Sequence, residues 1–307
     1  MRIIVTGGYG FIGSAFVNLL NRKLPNDEIV ILDKITYAAN PNNLDYPTKC
    51  IHKDICDVTP EDLGDYDYIV HFAAESHVDN SIKNGKPFIK TNVEGTFNLL
   101  ECARQNPNLK KFIHISTDEV YGDMEDVGIL AEASEYYPLG GSSYYSASKA
   151  SADLLVLSAH RTFGVPYIIT RTCNNYGDHQ HAEKFLPTIM KSIAKDTEIP
   201  VYGDGSNVRE WIDVEDNTLL IYELMISDEI NQIFNIGSGE RYSNLEIIKM
   251  IGNIMGKTPK YKFVEDRKGH DKRYALDSTI INNLFPKWEP ISFKEFLKEQ
   301  IFTQTNQ

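Results

Sequence analysis

The sequence predicts an α/β fold, a doubly wound parallel sheet followed by a smaller and partly discontinuous lobe. Short apolar runs rich in β-branched residues alternate with longer segments of helical period through the first half of the chain. This alternation is typical of βαβ units, whose strands are parallel. After residue 174 the elements become shorter and are broken by Gly and Pro, as in YGDGSN (202–207) and NIGSGE (235–240).

Each element of the first half follows from its local pattern. Three segments place apolar residues at three- and four-residue spacing and are predicted helices: Phe11–Asn21, Ile89–Ala103 and Tyr145–Phe163. The predicted strands are RIIVT (2–6), EIVILD (28–33), DYIVHFA (67–73), KFIHIST (111–117) and YIITRT (167–172).

Two domains are expected from this organisation. Residues 1–173 should form the first, and 174–307 should form most of the second. The strand-like REWIDV (209–214) and a helix that follows it suggest that 206–227 returns to the first domain.

Composition excludes several classes of protein. The 307 residues carry 31 Lys and Arg against 43 Asp and Glu, a net charge of −12, which excludes a basic nucleic-acid binder. Hydrophobic residues make up 42%, enough for a large core. The chain shows no apolar run of about 18 residues and no signal-peptide pattern, so we expect a cytoplasmic protein that does not enter a membrane.

Metal binding is not expected from the pattern of ligand residues. The four cysteines form no CxxC pair and the eight histidines form no HExxH motif. We therefore predict no metal site and no disulfide framework.

The first strand runs into a glycine-rich turn that predicts dinucleotide binding. Glycines at 7, 8, 10 and 13 fall where the strand should turn into a helix. Such a turn needs unusual backbone angles and brings bare amides close to a pyrophosphate. Asp33 ends the next strand about 20 residues later, where a carboxylate accepts hydrogen bonds from ribose hydroxyls and repels a 2′-phosphate. The pattern favours NAD over NADP.

Two further motifs predict acid–base chemistry. Tyr145 and Lys149 lie four residues apart on one face of a predicted helix, where the ammonium should lower the pKa of the phenol and make it a base. Thr117, Asp118 and Glu119 follow a predicted strand at the sheet edge where ligands bind. Two adjacent carboxyl groups in different environments can serve as an acid and a base.

The motifs TGGYGFIG (6–13), STDEVYG (116–122) and YSASK (145–149) resemble the extended short-chain dehydrogenase/reductase family, which has a Rossmann-type fold. Within it, four segments are most similar to the dTDP-glucose 4,6-dehydratases: HFAAESHVDNSI (71–82), NNYGDHQHAEKFLP (174–187), YGDGSNVREW (202–211) and DRKGHDKRYALD (266–277).

The resemblance implies a hydro-lyase that forms a nucleotide 4-keto-6-deoxyhexose for deoxysugar or rhamnose synthesis. C4 is oxidised by tightly bound NAD+, water is eliminated across C5 and C6, and the hydride returns to C6. Tyr145 with Lys149 would serve C4, Glu119 would be the C5 base and Asp118 the C6 acid. Thr117 would hydrogen-bond the C4 oxygen beside Tyr145.

The resemblance also implies two binding sets. Around NAD it places Gly7, Gly10, Phe11, Ile12, Gly13, Asp33, Lys34, Thr36, Asp54, Ile55, Phe72, Ala73, Ala74, Ser76, Thr91, Tyr145, Lys149 and Asn175. Around the nucleotide sugar it places Ser76, Thr117, Asp118, Glu119, Asn174, Lys184, Leu186, Pro187, Tyr202, Arg209, Asn244, Arg267 and His270. Of these, Arg209 and Arg267 suit a diphosphate, because guanidinium binds phosphate oxygens bidentately.

Alternatives remain open at this point. A UDP-glucose dehydratase, a nucleotide-sugar epimerase or decarboxylase of the same family, and an NAD-binding scaffold all fit part of the pattern. We also expect a homodimer, from the resemblance and from two amphipathic helices, Ile89–Ala103 and Tyr145–Phe163. The chain departs from the family pattern at Ala39, Asp178 and 140–143.

Overall fold

Seven parallel strands form the main sheet within the residues that the computed structural model describes, 1–124 and 132–305. Residues 125–131 and 306–307, which belong to the predicted domains, lie outside the described residues. The parallel pairing confirms the predicted fold class. Across the sheet the strands are β3 (Lys49–His52), β2 (Glu28–Asp33), β1 (Arg2–Thr6), β4 (Tyr68–His71), β5 (Lys111–Thr117), β6 (Tyr167–Thr172) and β10 (Gln232–Ile236).

Helices cover both faces of this sheet. One apolar layer contains Phe16, Ile113 and Leu224, and the other contains Phe112 and Val156. Successive side chains of a strand point to opposite faces, so each strand contributes to both layers. The helices are α1 (Phe11–Lys23), α2 (Pro60–Leu63), α3 (Val78–Lys83), α4 (Lys86–Phe88), α5 (Thr96–Ala103), α6 (Tyr144–Phe163), α7 (Phe185–Ala194), α8 (Val214–Ile226), α9 (Asn244–Ile254), α10 (Thr279–Leu284) and α11 (Phe293–Thr305).

The predicted helix over Ile89–Ala103 contains a π-helical segment. Residues Ile89–Gly95 are π-helical and connect α4 to α5 without a break. A π-helical turn is uncommon and is frequently found at functional sites. Apolar periodicity cannot distinguish it from an α-helix, so the sequence predicted the helix and not its winding.

A second lobe follows the sixth strand of the chain. A three-stranded sheet is formed by β7 (Asn174–Tyr176), β9 (Val208–Asp213) and β11 (Arg241–Ser243), and a parallel pair by β8 (Ile199–Tyr202) and β12 (Tyr261–Val264). Its apolar core contains Tyr176, Trp211 and Phe293, whose aromatic rings contact one another.

The segment 206–227, predicted to return to the first domain, contains a strand and a helix with different partners. Its strand, β9, pairs with β7 and β11 in the three-stranded sheet. The helix α8 does pack against α1, and β10 then adds the seventh strand beside β6. The sequence missed β10 because the glycine-rich NIGSGE overlaps its end, and it missed β3 because that edge strand is short and half-exposed. The division into domains 1–173 and 174–307 stays a proposal.

No helix among residues 1–124 and 132–305 is long and apolar enough to cross a membrane. In the same ranges, no three His, Cys, Asp or Glu side chains cluster as metal ligands would.

Candidate active site

The glycine-rich loop forms a close-packed turn at the end of β1. Gly7 has φ +69°, and a Cβ there would lie 2.7 Å from the Ala73 backbone nitrogen. A Cβ on Gly13 would lie 2.2 Å from the Gly7 carbonyl oxygen. No side chain caps α1 at Gly10, so its first N–H groups remain available to an anion at the positive end of the helix.

Asp33 joins this loop to the end of β2. Its carboxylate accepts hydrogen bonds from the backbone N–H groups of Tyr9 (3.1 Å) and Ile35 (2.8 Å). The side chain is 8% exposed and lies at the wall of the cleft. These two bonds fix the carboxylate where a ribose would meet it.

A cleft of about 810 Å³ opens at the carboxyl ends of the strands. Asp54 is not among its lining residues, although its carboxylate lies 3.4 Å from the lining Lys34 ammonium. Burial opposes ionisation of Asp54, but hydrogen bonds from Cys56 and the charge of Lys34 lower its pKa overall. The predicted cofactor residues that line the cleft are Gly7, Gly10, Phe11, Ile12, Gly13, Asp33, Lys34, Thr36, Ile55, Phe72, Ala73, Ala74, Ser76, Thr91, Tyr145, Lys149 and Asn175.

The π-helical segment contributes Thr91 to the lining of this cleft. Thr91 accepts a hydrogen bond from Lys34 Nζ at 3.3 Å. The side chain of Asn92 bonds both backbone groups of Glu75 and, at 2.9 Å, the hydroxyl of Ser148 on α6. Asn92 therefore connects the β4 loop to α6. It was not among the predicted site residues, and the only available signal was its place in TNVEGT (91–96).

A short 3₁₀ turn presents the two carboxyl groups. Thr117 ends β5 and caps the turn Asp118–Tyr121, accepting a hydrogen bond from the Glu119 N–H at 3.3 Å. The Thr117 hydroxyl donates to Asp118 Oδ1 at 3.1 Å. Because Thr is a good N-cap and acids are favoured in the first turn, the sequence STDEVY encodes this turn locally.

The two carboxyl groups have different surroundings. Asp118 is 2% exposed and its Oδ2 has no hydrogen-bond partner in the described structure. Burial, followed by the charge of Glu119, raises the pKa of Asp118 well above its ordinary value. Burial also raises the pKa of Glu119, but Arg209 and Arg267 oppose that shift. Burial therefore favours the protonated form of both carboxyl groups, and the neighbouring guanidinium groups favour ionisation of Glu119.

Tyr145 and Lys149 both line the cleft, one helical turn apart on α6. Burial, and then the charge of Glu119, raises the pKa of Tyr145, while a hydrogen bond with Thr117 opposes the shift. The Lys149 ammonium donates to the Ile115 carbonyl at 2.6 Å. The prediction that Lys149 brings the phenol pKa toward neutrality is wrong for the chain by itself, because desolvation of a phenolate outweighs the attraction of one ammonium.

Basic groups surround Glu119 on the side of the second lobe. Arg209 and Arg267 both lower the pKa of Glu119, as does Lys184 at the start of α7. Arg209 is buried and donates to the Asp271 carbonyl at 2.8 Å, with its guanidinium over the Tyr274 ring.

The remaining predicted sugar-nucleotide residues lie in three different settings. Tyr202 is 41% exposed, and its ring contacts His270, which also bonds Asp266 at 2.6 Å. Asn174 and Ser76 line the cleft. Leu186 packs into the apolar core of the second lobe, Pro187 follows it in α7, and the Asn244 N–H at the start of α9 donates to the Asn207 carbonyl. These three are not among the cleft-lining residues, and neither are Asp118, Tyr202, Arg209, Arg267 and His270.

Several other residues around the site were not predicted. Asp79, which is not among the cleft-lining residues, pairs with Arg267 at 3.4 Å and joins the two lobes. The rings of Tyr37 and His181 meet edge to face across the cleft, 6.0 Å apart. Trp211 lines it with an indole N–H that has no partner in the described structure. Each lies in or beside a motif segment, but residue type alone gave no reason to single it out.

The departures from the family pattern have structural roles. Ser143 of the GGSS segment forms a capping box with Ser146 and starts α6. Asp178 accepts a hydrogen bond from Gln300 of α11 at 2.6 Å. Ala39 packs against the first apolar layer.

Comparison with known proteins assigns the family. Residues 3–237 match the model of the NAD dependent epimerase/dehydratase family, and the chain belongs to this family. Its cofactor is accordingly NAD.

Individual relatives show which members of this family the chain is similar to. The chain is 46% identical to the low-salt glycan biosynthesis protein Agl12 of Haloferax volcanii, covering 94% of each chain. It is 39% identical to the dTDP-glucose 4,6-dehydratase of Haemophilus influenzae, covering 98% of this chain and 97% of that protein. The crystal structure of DesIV, a dTDP-glucose 4,6-dehydratase from Streptomyces venezuelae with NAD and TDP bound, is similar with a TM-score of 0.91 and 40% identity, covering 98% and 96% of the two chains.

Proposed function

We propose that this chain is a hydro-lyase, a dTDP-glucose 4,6-dehydratase that converts dTDP-glucose to dTDP-4-keto-6-deoxyglucose and water. The observation that carries the proposal is the pair Asp118 and Glu119 directly after β5: Asp118 is buried with an unpartnered carboxyl oxygen, and Glu119 lines the cleft near Arg209 and Arg267. Dehydration of a 4-keto sugar needs such an acid and base, whereas epimerisation at C4 does not. The relatives named as dTDP-glucose 4,6-dehydratases support the proposal.

The residues around the cleft fit NAD. Gly7 and Gly13 leave no room for a Cβ, and the uncapped start of α1 suits a pyrophosphate. Asp33 would hold the ribose hydroxyls, and Lys149 the second ribose. When bound, NAD+ supplies an acceptor for the C4 hydride and later returns that hydride to C6.

Tyr145 is assigned the removal of the C4 hydroxyl proton. Its hydroxyl is hydrogen-bonded to Thr117, which would also orient the C4 oxygen. The raised pKa of Tyr145 means that the chain alone does not hold a phenolate at neutral pH. The positive charges of Lys149 and of the bound nicotinamide must both favour its ionisation, so Tyr145 acts as a base only in the loaded site.

Glu119 and Asp118 are assigned the elimination. The 4-keto group makes the C5 proton acidic, and Glu119, kept ionisable by Arg209 and Arg267, removes it. Asp118 retains its proton in the buried site and donates it to the departing C6 hydroxyl, which leaves as water. The later proton transfer back to C5 restores Glu119. The proton that Tyr145 took from the C4 hydroxyl equals the one that Asp118 gave to the departing water, so its transfer from Tyr145 to Asp118, directly or through solvent, restores both residues.

Arg209 and Arg267 are proposed to hold the diphosphate, with Lys184 beside them. The chain as a whole carries −12 charges and repels anions at long range, so these local cations must attract the substrate. Arg209 keeps its guanidinium in place by its bond to Asp271 and its contact with Tyr274. The nucleotide base would then lie toward Tyr202, His270 and Asn244.

Turnover of separate nucleotide sugars tests this function. Purified protein should remove one water from dTDP-glucose, with no net accumulation of NADH, as seen by mass spectrometry and absorbance. Unchanged dTDP-glucose together with water loss from UDP-glucose would overturn the nucleotide assignment.

We also propose a homodimer. Phe97 of α5 and Leu154 of α6 are 53% and 57% exposed, on helices that pack against each other on one face of the main sheet. Apolar side chains exposed together on neighbouring helices are typical of a helical subunit interface. A cytoplasmic location stays a prediction.

A further inference from the structure

A chain of buried polar groups lies between the main sheet and α6, beneath the cleft. His71 of β4 and His114 of β5 are neighbours across the sheet, with ring centroids 5.3 Å apart. His114 Nε2 lies 3.4 Å from Asp153 Oδ1, and Arg171 Nε donates to Asp153 Oδ2 at 2.9 Å. All four side chains are at most 2% exposed. None of them has a part in the catalytic steps assigned above.

Asp153 is the carboxylate that α6 places one turn after Lys149. Residues four apart on a helix lie on the same face, and both side chains are buried. Tyr145, Lys149 and Asp153 thus form one stripe along α6, with the reacting phenol at the open end.

Arg171 holds Asp153 from the sheet, and the His114 ring lies beside the second carboxylate oxygen. Arg171 also donates to the Tyr121 hydroxyl at 2.9 Å and to the Glu135 carbonyl, so its own position is fixed. Burial lowers the pKa of His114 to about 4, which keeps this imidazole neutral and leaves Arg171 as the cation bonded to Asp153.

We propose that Asp153 is a positioning residue for the dehydratase reaction: anchored by Arg171, it keeps the Lys149 ammonium charged beneath Tyr145. The proposal rests on the proposed function. Burial lowers the pKa of Lys149 to about 8, and Asp153 opposes that shift. His71 and His114 also interact with Lys149, and burial lowers the pKa of both imidazoles and so keeps them neutral. Asp118 and Glu119, on the turn that packs against α6, act on Tyr145.

Without Asp153, the pKa values of both Lys149 and Tyr145 should fall. Lys149 would lose its proton at lower pH, because a buried ammonium would have lost its counter-charge. Tyr145 would also ionise at lower pH, since Asp153 is among the anions that raise its pKa. Both limbs of the pH profile of kcat/KM should then move to lower pH.

The experiment measures the pH profile of kcat/KM for Asp153→Asn, for the wild type and for Asp216→Asn. Each protein is used as purified, with NAD bound. Asp216 is a buried carboxylate that bonds Trp288 and the Ile291 N–H and is not among the cleft-lining residues. We expect Asp153→Asn to shift both limbs of the pH profile to lower pH. Asp216→Asn should leave both limbs where they are in the wild type. A uniform loss of kcat/KM at every pH, with unmoved limbs, would overturn the proposal.

A second readout separates this proposal from the proposed function. The pH dependence of NADH affinity, followed by NADH fluorescence after removal of bound cofactor, requires no sugar nucleotide. Affinity should fall at a lower pH in Asp153→Asn than in the wild type, and the same pH dependence in both proteins would overturn the role of Asp153. Failure of the wild type to dehydrate any nucleotide sugar would instead overturn the proposed function.

A double variant covers the case in which Asp153→Asn does not fold. Removing Asp153 leaves Arg171 buried without its counter-charge. Asp153→Asn with Arg171→Gln removes both charges while still depriving Lys149 of its carboxylate. It should show the same direction of shift in NADH binding, and unmoved binding would count against the proposal.

Discussion

Asp118 is a buried carboxyl group that is also the proposed catalytic acid. We therefore predict that its replacement increases the stability of the protein and reduces its activity. The folded pKa of Asp118 lies above the unfolded value, so the folded chain binds the extra proton and the free energy of unfolding falls as pH rises above about 4. Asp118→Asn should therefore raise the free energy of unfolding at pH 7, with little gain at pH 4. Thermal melts at both pH values measure this, and equal changes at the two pH values would contradict the assignment.

The two carboxyl groups together predict a trapped intermediate. Asp118→Asn with Glu119→Gln should permit oxidation at C4, because Tyr145 and Lys149 are untouched, and should block water loss. The reduced cofactor should then accumulate, visible in its absorbance, while mass spectrometry finds no dehydrated product. Wild-type rates of product formation by this variant would refute the acid and base roles.

A variant of Tyr145 should have the opposite defect, a loss of the oxidation at C4. Tyr145→Phe removes the hydroxyl that Thr117 contacts and should reduce turnover by about 10²–10⁴-fold, the usual contribution of a general base. Neither reduced cofactor nor dehydrated product should appear, while NAD remains bound. Tyr144→Phe, one residue earlier with a 61% exposed ring, is the control and should keep wild-type activity.

At the scale of elements, the glycine-rich turn between β1 and α1 is packed too closely to accept a side chain at some positions. A Cβ on Gly13 would lie 2.2 Å from a backbone oxygen, whereas one on Gly10 would lie 3.3 Å from the same atom. Gly13→Ala should therefore weaken NAD binding by at least about tenfold, and Gly10→Ala should weaken it much less. Calorimetric titration with NAD compares the two, and equal affinities would show that the close packing does not shape the site.

Sequence patterns predicted the elements whose signals are local. The alternation of apolar runs indicated five strands of the main sheet, and the glycines with Asp33 indicated the cofactor loop. The place of β9 in the second sheet and of β10 in the first depends on pairing between distant segments, which no local period records. The π-helical winding that presents Thr91 and Asn92 was hidden because an apolar period does not distinguish it from α-helix.

The same distinction between local signals and long-range contacts applies to the site residues. Thr117, Asp118 and Glu119 are adjacent in the chain, so the sequence alone predicts that they act together. The pairing of Asp79 with Arg267 spans 188 residues and could not be inferred from residue types. The direction of the Tyr145 pKa also escaped sequence reasoning, because it depends on burial and on Glu119 rather than on the neighbouring lysine.

For the whole molecule, the exposed apolar surface on α5 and α6 predicts the assembly. Phe97→Glu with Leu154→Glu would place charges in a buried helical interface and should convert a dimer to a monomer, as measured by light scattering. Phe263→Glu alters another half-exposed aromatic, on β12, and should leave the dimer intact. A wild-type monomer at micromolar concentration would contradict the proposed assembly.

The most direct test of the central claim is the mass of each product formed from dTDP-glucose, UDP-glucose, GDP-mannose and UDP-glucuronate incubated separately with the purified protein. We expect dTDP-glucose to lose one water and the other three to remain unchanged. An unchanged mass for dTDP-glucose, with NAD bound to the protein, would contradict the claim that Asp118 and Glu119 dehydrate this sugar.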